Sequence, residues 1–223
     1  MQARTTGLIL RIYPLTDTSL IIHWLTPDLG RIATVAKGAR RPKSQFHGKI
    51  DLFYLADFSF HRSRRSELHT LREVNLREIH LALRELAYLQ QAAYASALIE
   101  QTTETETPLP QIFELLLLFL AFLISQPPQP LTIFAFEMKL LSELGLKPDL
   151  KEMKLSAGSQ QLLGKFAELD WPALANLRIA EPQSREIYQF LHHFLVYHLG
   201  RIPPGRMAAT ETSPQATLGA TKA

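Results

Sequence analysis

The first 75 residues alternate apolar and polar side chains with the period of two that is typical of half-buried strands. In the first such segment, Leu8, Leu10 and Ile12 would share one apolar face. The alternation and the turn residues between segments predict five strands, at residues 8–13, 18–25, 31–37, 52–61 and 67–74. Five short antiparallel strands without an intervening helix predict a small closed barrel of the OB type.

From about residue 79 the apolar period changes to that of amphipathic helices. The predicted helical segments are residues 79–101, 111–125, 132–144, a short stretch with Ser156 as N-cap, and 186–199. The chain therefore has a predicted α+β fold in three parts. These are an OB-fold domain at residues 1–78, an all-helical domain at 79–206 and a disordered tail at 207–223.

Three observations bear on the compartment. The N-terminus has no apolar signal core, and the most apolar run, residues 112–124, is too short to span a bilayer. The chain contains no cysteine, which excludes disulfides, thiol nucleophiles and thiolate metal sites and agrees with a reducing compartment. The sequence therefore predicts a cytoplasmic protein without membrane partners.

The positive charge is concentrated in the first third of the chain. Residues 1–80 carry a net charge of +6 and residues 81–223 a net charge of −3, within an overall +3. This asymmetry predicts a polyanionic partner for the N-terminal domain.

The densest cluster of cations follows the third predicted strand. Four lie within seven residues: Lys37, Arg40, Arg41 and Lys43. Gly38 permits unusual backbone angles and a close approach to a ligand, and Pro42 would keep Arg41 extended. An extended row of cations suits the repeating phosphates of a nucleic acid, whereas the alternative is a solvated hairpin loop. A second basic turn, residues 62–65, either extends this surface or is a solvated hairpin tip.

Aromatic residues near the cations are candidates for stacking on bases. The candidates are Tyr13, Trp24, Phe46 and Tyr54. Trp24 shares a face with apolar residues and is predicted to lie in the core. Phe46 follows the basic cluster closely and is the favoured stacking residue.

No motif of an enzyme or of a metal site is present. The chain lacks a phosphate-binding loop, a dinucleotide fingerprint and a nucleophile elbow, so neither catalysis nor a cofactor is predicted. His192, His193 and His198 share one predicted helix, but their spacing does not match that of zinc-binding helices. Packing or surface roles are favoured for them over a hydrolase site.

Several motifs carry a resemblance to a known family. The N-terminal motifs are GLILR at residues 7–11, DTSL at 17–20, LTPDLGR at 25–31 and VAKGARRPKS at 35–44; the helical ones are FEMKLL at 136–141 and LGLKPDL at 144–150. In order and spacing they resemble the RecO family of bacterial DNA repair and recombination mediators. Many members carry a four-cysteine zinc module after the last motif. Here residues 151–155 lead directly to Ser156, so no metal site is predicted.

The resemblance implies a function, a set of partners and a binding surface. It implies binding of single-stranded DNA, with duplex DNA as a further option, annealing of complementary strands, and displacement of single-strand-binding protein so that RecA loads, together with RecR. It also implies DNA contacts on the cationic surface: Arg11, Arg31, Lys37, Gly38, Arg40, Arg41 and Lys43, with Phe46 added as the stacking residue. The alternative is an adaptor whose barrel binds protein.

Overall fold

The predicted α+β fold is confirmed. The computed structural model describes residues 2–211 and begins with five strands. These are β1 (Gln2–Pro14), β2 (Leu20–Thr26), β3 (Gly30–Ala36), β4 (Leu55–His61) and β5 (Leu68–Glu78). They close into a barrel in the order β1-β2-β3-β5-β4, in which β3 and β5 run parallel and the other pairs antiparallel. This closed five-stranded arrangement is that of an OB-type barrel.

Aromatic and branched side chains fill the barrel. Trp24 is fully buried and stacks on Phe58, with ring centroids 4.0 Å apart. Its Nε1 donates a hydrogen bond to Thr34 Oγ1 at 2.8 Å, which satisfies the buried indole N–H. The prediction that Trp24 lies in the core is confirmed.

The predicted face of β1 is interrupted by a bulge. Ile9 pairs with Trp24 and Arg11 pairs with His23, so Leu10 is an extra residue without an opposite partner. Ile9 belongs to the core cluster of the barrel and Ile12 packs against it. A continuous face of Leu8, Leu10 and Ile12 is therefore wrong, because the bulge shifts the alternation by one residue. Beyond the bulge, Arg11 and Tyr13 lie on the outer face.

Seven α-helices follow within the described residues. They are α1 (Leu86–Thr102), α2 (Pro110–Ile124), α3 (Pro130–Glu143), α4 (Ala157–Glu168), α5 (Trp171–Leu174), α6 (Glu181–Leu199) and α7 (Arg206–Thr210). Ser156 caps α4 as predicted, by accepting a hydrogen bond from the Ser159 N–H. The first predicted helix starts too early, because a short 3-10 turn at Leu81–Arg84 precedes α1. None of the helices within residues 2–211 is long and apolar enough to cross a membrane.

The predicted disordered tail is wrong at its start. Helix α7 includes residues 207–210 of that segment, and Arg206 at its first position is buried. Arg206 donates to both carboxylate oxygens of Glu137 on α3, at 2.7 and 2.9 Å, and the Tyr94 hydroxyl donates to the same carboxylate at 2.6 Å. A buried ion pair thus holds α7 in the helical unit. Residues 212–223 lie outside the described residues.

The described chain forms two compact units. The first comprises residues 2–81 and 103–114, and the second comprises residues 82–102 and 115–211. The segment between α1 and α2 therefore belongs with the barrel: Thr105 bridges to Arg31, and the Glu106 N–H donates to the Arg31 carbonyl at 2.9 Å. The predicted domain boundary at residue 78 concerns parts of the chain that fold independently, and it stays a prediction.

Candidate nucleic-acid interface

The basic loop, defined here as residues 37–44, is folded into tight turns. The Arg41 N–H donates to the Gly38 carbonyl at 3.1 Å, and the Ser44 N–H donates to the Arg41 carbonyl at 3.0 Å. The predicted extended row of cations is therefore wrong. Pro42 occupies the second position of the 41–44 turn, where its fixed φ favours the turn. Gly38 has a φ of +70°, so its predicted unusual backbone conformation is present.

All four cations of the basic loop are exposed: Lys37, Arg40, Arg41 and Lys43. Within residues 2–211, no hydrogen bond or ion pair engages the side chains of Lys37, Arg41 or Lys43. Arg40 is oriented by the protein, since its Nη1 donates to the Thr16 carbonyl at 3.3 Å. The loop thus presents a compact group of positive charges to solvent.

An exposed tyrosine lies at the same end of the barrel. Tyr13 pairs with Ile21 on β2, which pairs with Val35 on β3, two residues before the basic loop. Tyr13 is 40% exposed, and its hydroxyl accepts a hydrogen bond from Arg11 Nη1 at 3.1 Å. The Tyr13 and His23 rings meet in an edge-to-face arrangement, with their centroids 5.3 Å apart. An oriented, exposed aromatic ring beside cations is the arrangement on which unpaired bases stack.

The other aromatic candidates are buried. Only 4% of the surface of Phe46 is exposed, and Phe46 packs in the barrel core with Trp24 and Tyr54. The prediction of Phe46 as the stacking residue is therefore wrong. The loop after Ser44 folds back onto the barrel, where the Gln45 side chain donates to the Arg72 carbonyl at 3.0 Å.

Arg31 lies at the other end of β3 from the basic loop. It precedes Lys37 by six positions, which corresponds to about 20 Å along a strand. Its Nε donates to Thr103 Oγ1 at 2.8 Å and its Nη2 donates to the Thr103 carbonyl. The guanidinium of Arg31 therefore holds the segment between α1 and α2 against the barrel.

The second basic turn lies near that segment too. Arg62 forms an ion pair with Glu106 at 2.9 Å, and the other Glu106 oxygen lies 3.0 Å from Nε2 of the buried His69. Because the Ser63 N–H donates to His69 Nδ1, the ring proton is on Nε2, which donates to Glu106. Arg64 and Arg65 are exposed. Within the second basic turn, Arg62 is therefore paired with a carboxylate of the chain itself, that of Glu106.

Sequence reasoning missed the role of the turn between β1 and β2, residues 15–19. The Arg40 N–H donates to the Thr18 carbonyl at 3.0 Å, so this turn and the basic loop are hydrogen-bonded neighbours. The hydroxyl residues of this turn were visible in the sequence. Their contact with a loop about 20 residues later depends on the β2–β3 pairing, which composition does not reveal.

The three histidines of α6 are exposed: His192, His193 and His198. Within residues 2–211, no group of three or more His, Cys, Asp or Glu side chains is arranged to hold a metal ion. Surface positions for these histidines agree with the sequence prediction.

The strand order and the exposed cationic loop define an OB-type barrel protein with a basic surface at one end and an appended helical unit. The family description "Recombination protein O N terminal" matches residues 1–80, and "Recombination protein O C terminal" matches residues 83–153. The chain belongs to the RecO family, as the sequence motifs predicted.

Individual relatives agree with this assignment. The DNA repair protein RecO of Anaeromyxobacter dehalogenans is 27% identical over 96% of this chain and 98% of its own length. The DNA repair protein RecO of Bacillus subtilis is 30% identical over 91% of this chain and 82% of its own length. That of Alkaliphilus metalliredigens is 36% identical over 67% of this chain and 61% of its own length. A role in DNA repair and recombination follows for the family to which the chain belongs.

Proposed function

We propose that the chain binds single-stranded DNA on the end of the barrel that carries the basic loop and Tyr13. The observation that carries the proposal is the exposure of four cations on a hydrogen-bonded loop next to an exposed aromatic ring. Phosphates neutralised by the cations would supply affinity without sequence preference, and stacking on Tyr13 would select unpaired bases. Duplex DNA, which offers phosphates but no free base, would then bind less tightly.

The proposed activity is that of a recombination mediator. By family membership, the bound strand would be annealed to its complement, and single-strand-binding protein would be displaced so that RecA loads, with RecR as the partner. We propose that these steps run on binding energy alone, because the sequence contains no phosphate-binding loop. Annealing of complementary oligonucleotides is therefore expected to proceed equally with and without ATP.

Salt dependence tests the DNA-binding proposal directly. If each of the four loop cations neutralises one phosphate, the slope of log K against log salt is about −3. The affinity for a single-stranded oligonucleotide then falls roughly 50-fold between about 50 and about 200 mM salt. Changing Arg40 and Arg41 together to alanine should reduce the slope by about 1.4.

A matched control separates loop contacts from net charge. Lys151 and Lys154 are exposed in the helical unit, so changing both to alanine removes two charges from another surface. This control should keep the slope within about 0.3 of the original value, since it removes no phosphate contact. Equal slopes for the loop variant, the control and the original chain would contradict the proposal and favour a barrel that binds protein.

A further inference from the structure

We infer that Thr16 is a positioning residue that holds the basic loop in its DNA-binding conformation through the turn between β1 and β2. The inference rests on the proposed DNA binding by the loop. It assigns a role to a residue that is uncharged and that would not itself neutralise a phosphate.

The turn between β1 and β2 is closed by hydrogen bonds among its own residues. The N–H groups of Leu15 and Thr16 donate to the Ser19 carbonyl, at 2.9 and 3.3 Å. Thr16 Oγ1 accepts from the N–H groups of Thr18 and Ser19, at 3.3 and 3.1 Å. A threonine hydroxyl that accepts hydrogen bonds from nearby backbone N–H groups stabilises a turn locally. The Thr16 side chain therefore stabilises the turn between β1 and β2.

Three hydrogen bonds then connect the basic loop to the turn, and in each of them the loop is the donor. The Arg40 N–H donates to the Thr18 carbonyl at 3.0 Å, and Arg40 Nη1 donates to the Thr16 carbonyl at 3.3 Å. The Gly38 N–H lies 3.4 Å from Ser19 Oγ, which is the longest of the three. Both the backbone and the guanidinium of Arg40 thus take their positions from the turn.

This connection bears on affinity because ordering a flexible loop residue costs conformational free energy. If the turn already orders residues 38–40 in the free protein, the free energy of DNA binding does not include the cost of ordering them. Loss of the Thr16 hydroxyl would loosen the loop without changing its charge. The number of phosphates contacted, and with it the salt slope, would stay the same.

The experiment compares Thr16→Val, which removes the hydroxyl at nearly constant volume, with Thr16→Ser, which keeps it. Both are made in the full chain and titrated with a single-stranded oligonucleotide at three salt concentrations. We expect Thr16→Val to weaken binding about three- to tenfold at every salt concentration, with a parallel salt dependence, and Thr16→Ser to bind within about twofold of the original. Thr16 is exposed, so the melting temperature should change little.

Amide hydrogen exchange supplies a readout that does not depend on DNA. Thr16→Val should accelerate exchange in a peptide covering residues 37–44 and leave peptides from β4 unchanged. If Thr16→Val binds as tightly as the original while the Arg40 and Arg41 double alanine variant loses affinity, the positioning role is overturned and the proposed function stands. If neither variant changes binding, the proposed function itself fails.

Discussion

The guanidinium of Arg31 donates hydrogen bonds to both the side chain and the carbonyl of Thr103, which lies 72 residues later in the chain. β3 pairs with β5 only from Ala33 onward, so the edge of β3 at Arg31 is open to another segment. The Glu106 N–H and the bridge at Thr105 use that edge. Arg31 is thus a structural cation of the barrel unit.

Arg31→Ala should therefore affect stability more than DNA binding. Loss of charged hydrogen bonds to Thr103, which is itself buried, is expected to lower the free energy of unfolding by about 2 kcal/mol. The salt slope for single-stranded DNA should stay unchanged. Urea denaturation and oligonucleotide titration measure the two effects, with Arg41→Ala as the control that behaves in the opposite way. A slope reduced by about 0.7 in a fully stable Arg31→Ala variant would return Arg31 to the DNA-binding surface.

The sequence predicts most of the barrel because, in a regular strand, the alternation of apolar and polar residues indicates which face is buried. The alternation of Leu20, Ile22 and Trp24 is enough to orient β2. The alternation in β1 misleads, since a bulge at Leu10 has no local signature in a run of apolar residues. The strand is apparent from local sequence, whereas its register depends on partners elsewhere in the chain.

The candidate site is predictable only in part, for a similar reason. Lys37 to Lys43 are visibly a cationic cluster, and their exposure follows from their chemistry. Whether Phe46 is buried or exposed depends on how the chain folds back after Ser44, through hydrogen bonds that sequence spacing does not indicate. The hydrogen bonds from Arg31 to Thr103 likewise depend on the tertiary structure, so the sequence does not indicate them.

The buried ion pair of the helical unit makes a strong stability prediction. Burial opposes the charged form of Arg206, but the adjacent Glu137 carboxylate raises the pKa of Arg206 above its usual range, so the guanidinium stays protonated. Arg206→Ala would leave the Glu137 carboxylate buried without its counter-ion. We expect a loss of about 3–5 kcal/mol in the free energy of unfolding, measured by urea denaturation.

Two comparisons test whether this loss comes from the unpaired charge. Arg206→Met combined with Glu137→Leu removes both charges and should recover part of the stability. Arg185→Ala breaks the exposed pair with Glu181 and should cost less than about 0.5 kcal/mol. A double variant as unstable as Arg206→Ala would show that packing, and not the charge, is responsible.

The connection between α4 and α6 predicts a contribution to stability that depends on pH. Hydrogen bonds from the Ser156 and Ser159 hydroxyls and from the Ser156 N–H hold the pKa of Glu186 below its ordinary value. The unfolded chain therefore takes up this proton at a higher pH than the folded one. The stabilisation is complete above the ordinary carboxyl pKa of about 4.3 and is lost as the pH falls through the lower folded value.

Glu186→Gln should accordingly lower the melting temperature at neutral pH, and the difference from the original chain should shrink below about pH 4. Melting curves between pH 7 and pH 3 measure this convergence. Glu152→Gln, at an exposed position, provides the control. It should leave the melting temperature unchanged both at neutral pH and below about pH 4. A constant difference across the whole range would rule out the ionised Glu186 as its source.

We expect the protein to fold without a structural metal. The chain contains no cysteine, and residues 151–155 lead directly into the cap of α4. Elemental analysis of the untagged protein should find no stoichiometric zinc, and a chelator should leave the melting temperature unchanged. One zinc per chain retained through dialysis would contradict this prediction.

Tyr13 and Phe46 should respond to substitution in opposite ways. Because Tyr13 is exposed beside the basic loop, Tyr13→Ala should remove a stacking contact of about 1–3 kcal/mol and weaken single-stranded DNA binding. The fold should be largely unaffected. Phe46→Ala opens a cavity in the barrel core and should lower the free energy of unfolding by about 3–5 kcal/mol.

Tyr13→Phe separates stacking from the hydrogen bond that Arg11 donates to the hydroxyl. A phenylalanine ring retains the stacking surface, so Tyr13→Phe should keep most of the affinity that Tyr13→Ala loses. The measurements are fluorescence titration with a single-stranded oligonucleotide and urea denaturation of each variant. Because stacking uses base faces and not phosphates, the salt slope should be the same for all Tyr13 variants. Full affinity in Tyr13→Ala would exclude this ring as a base platform and leave the cations of the basic loop as the whole of the proposed contact.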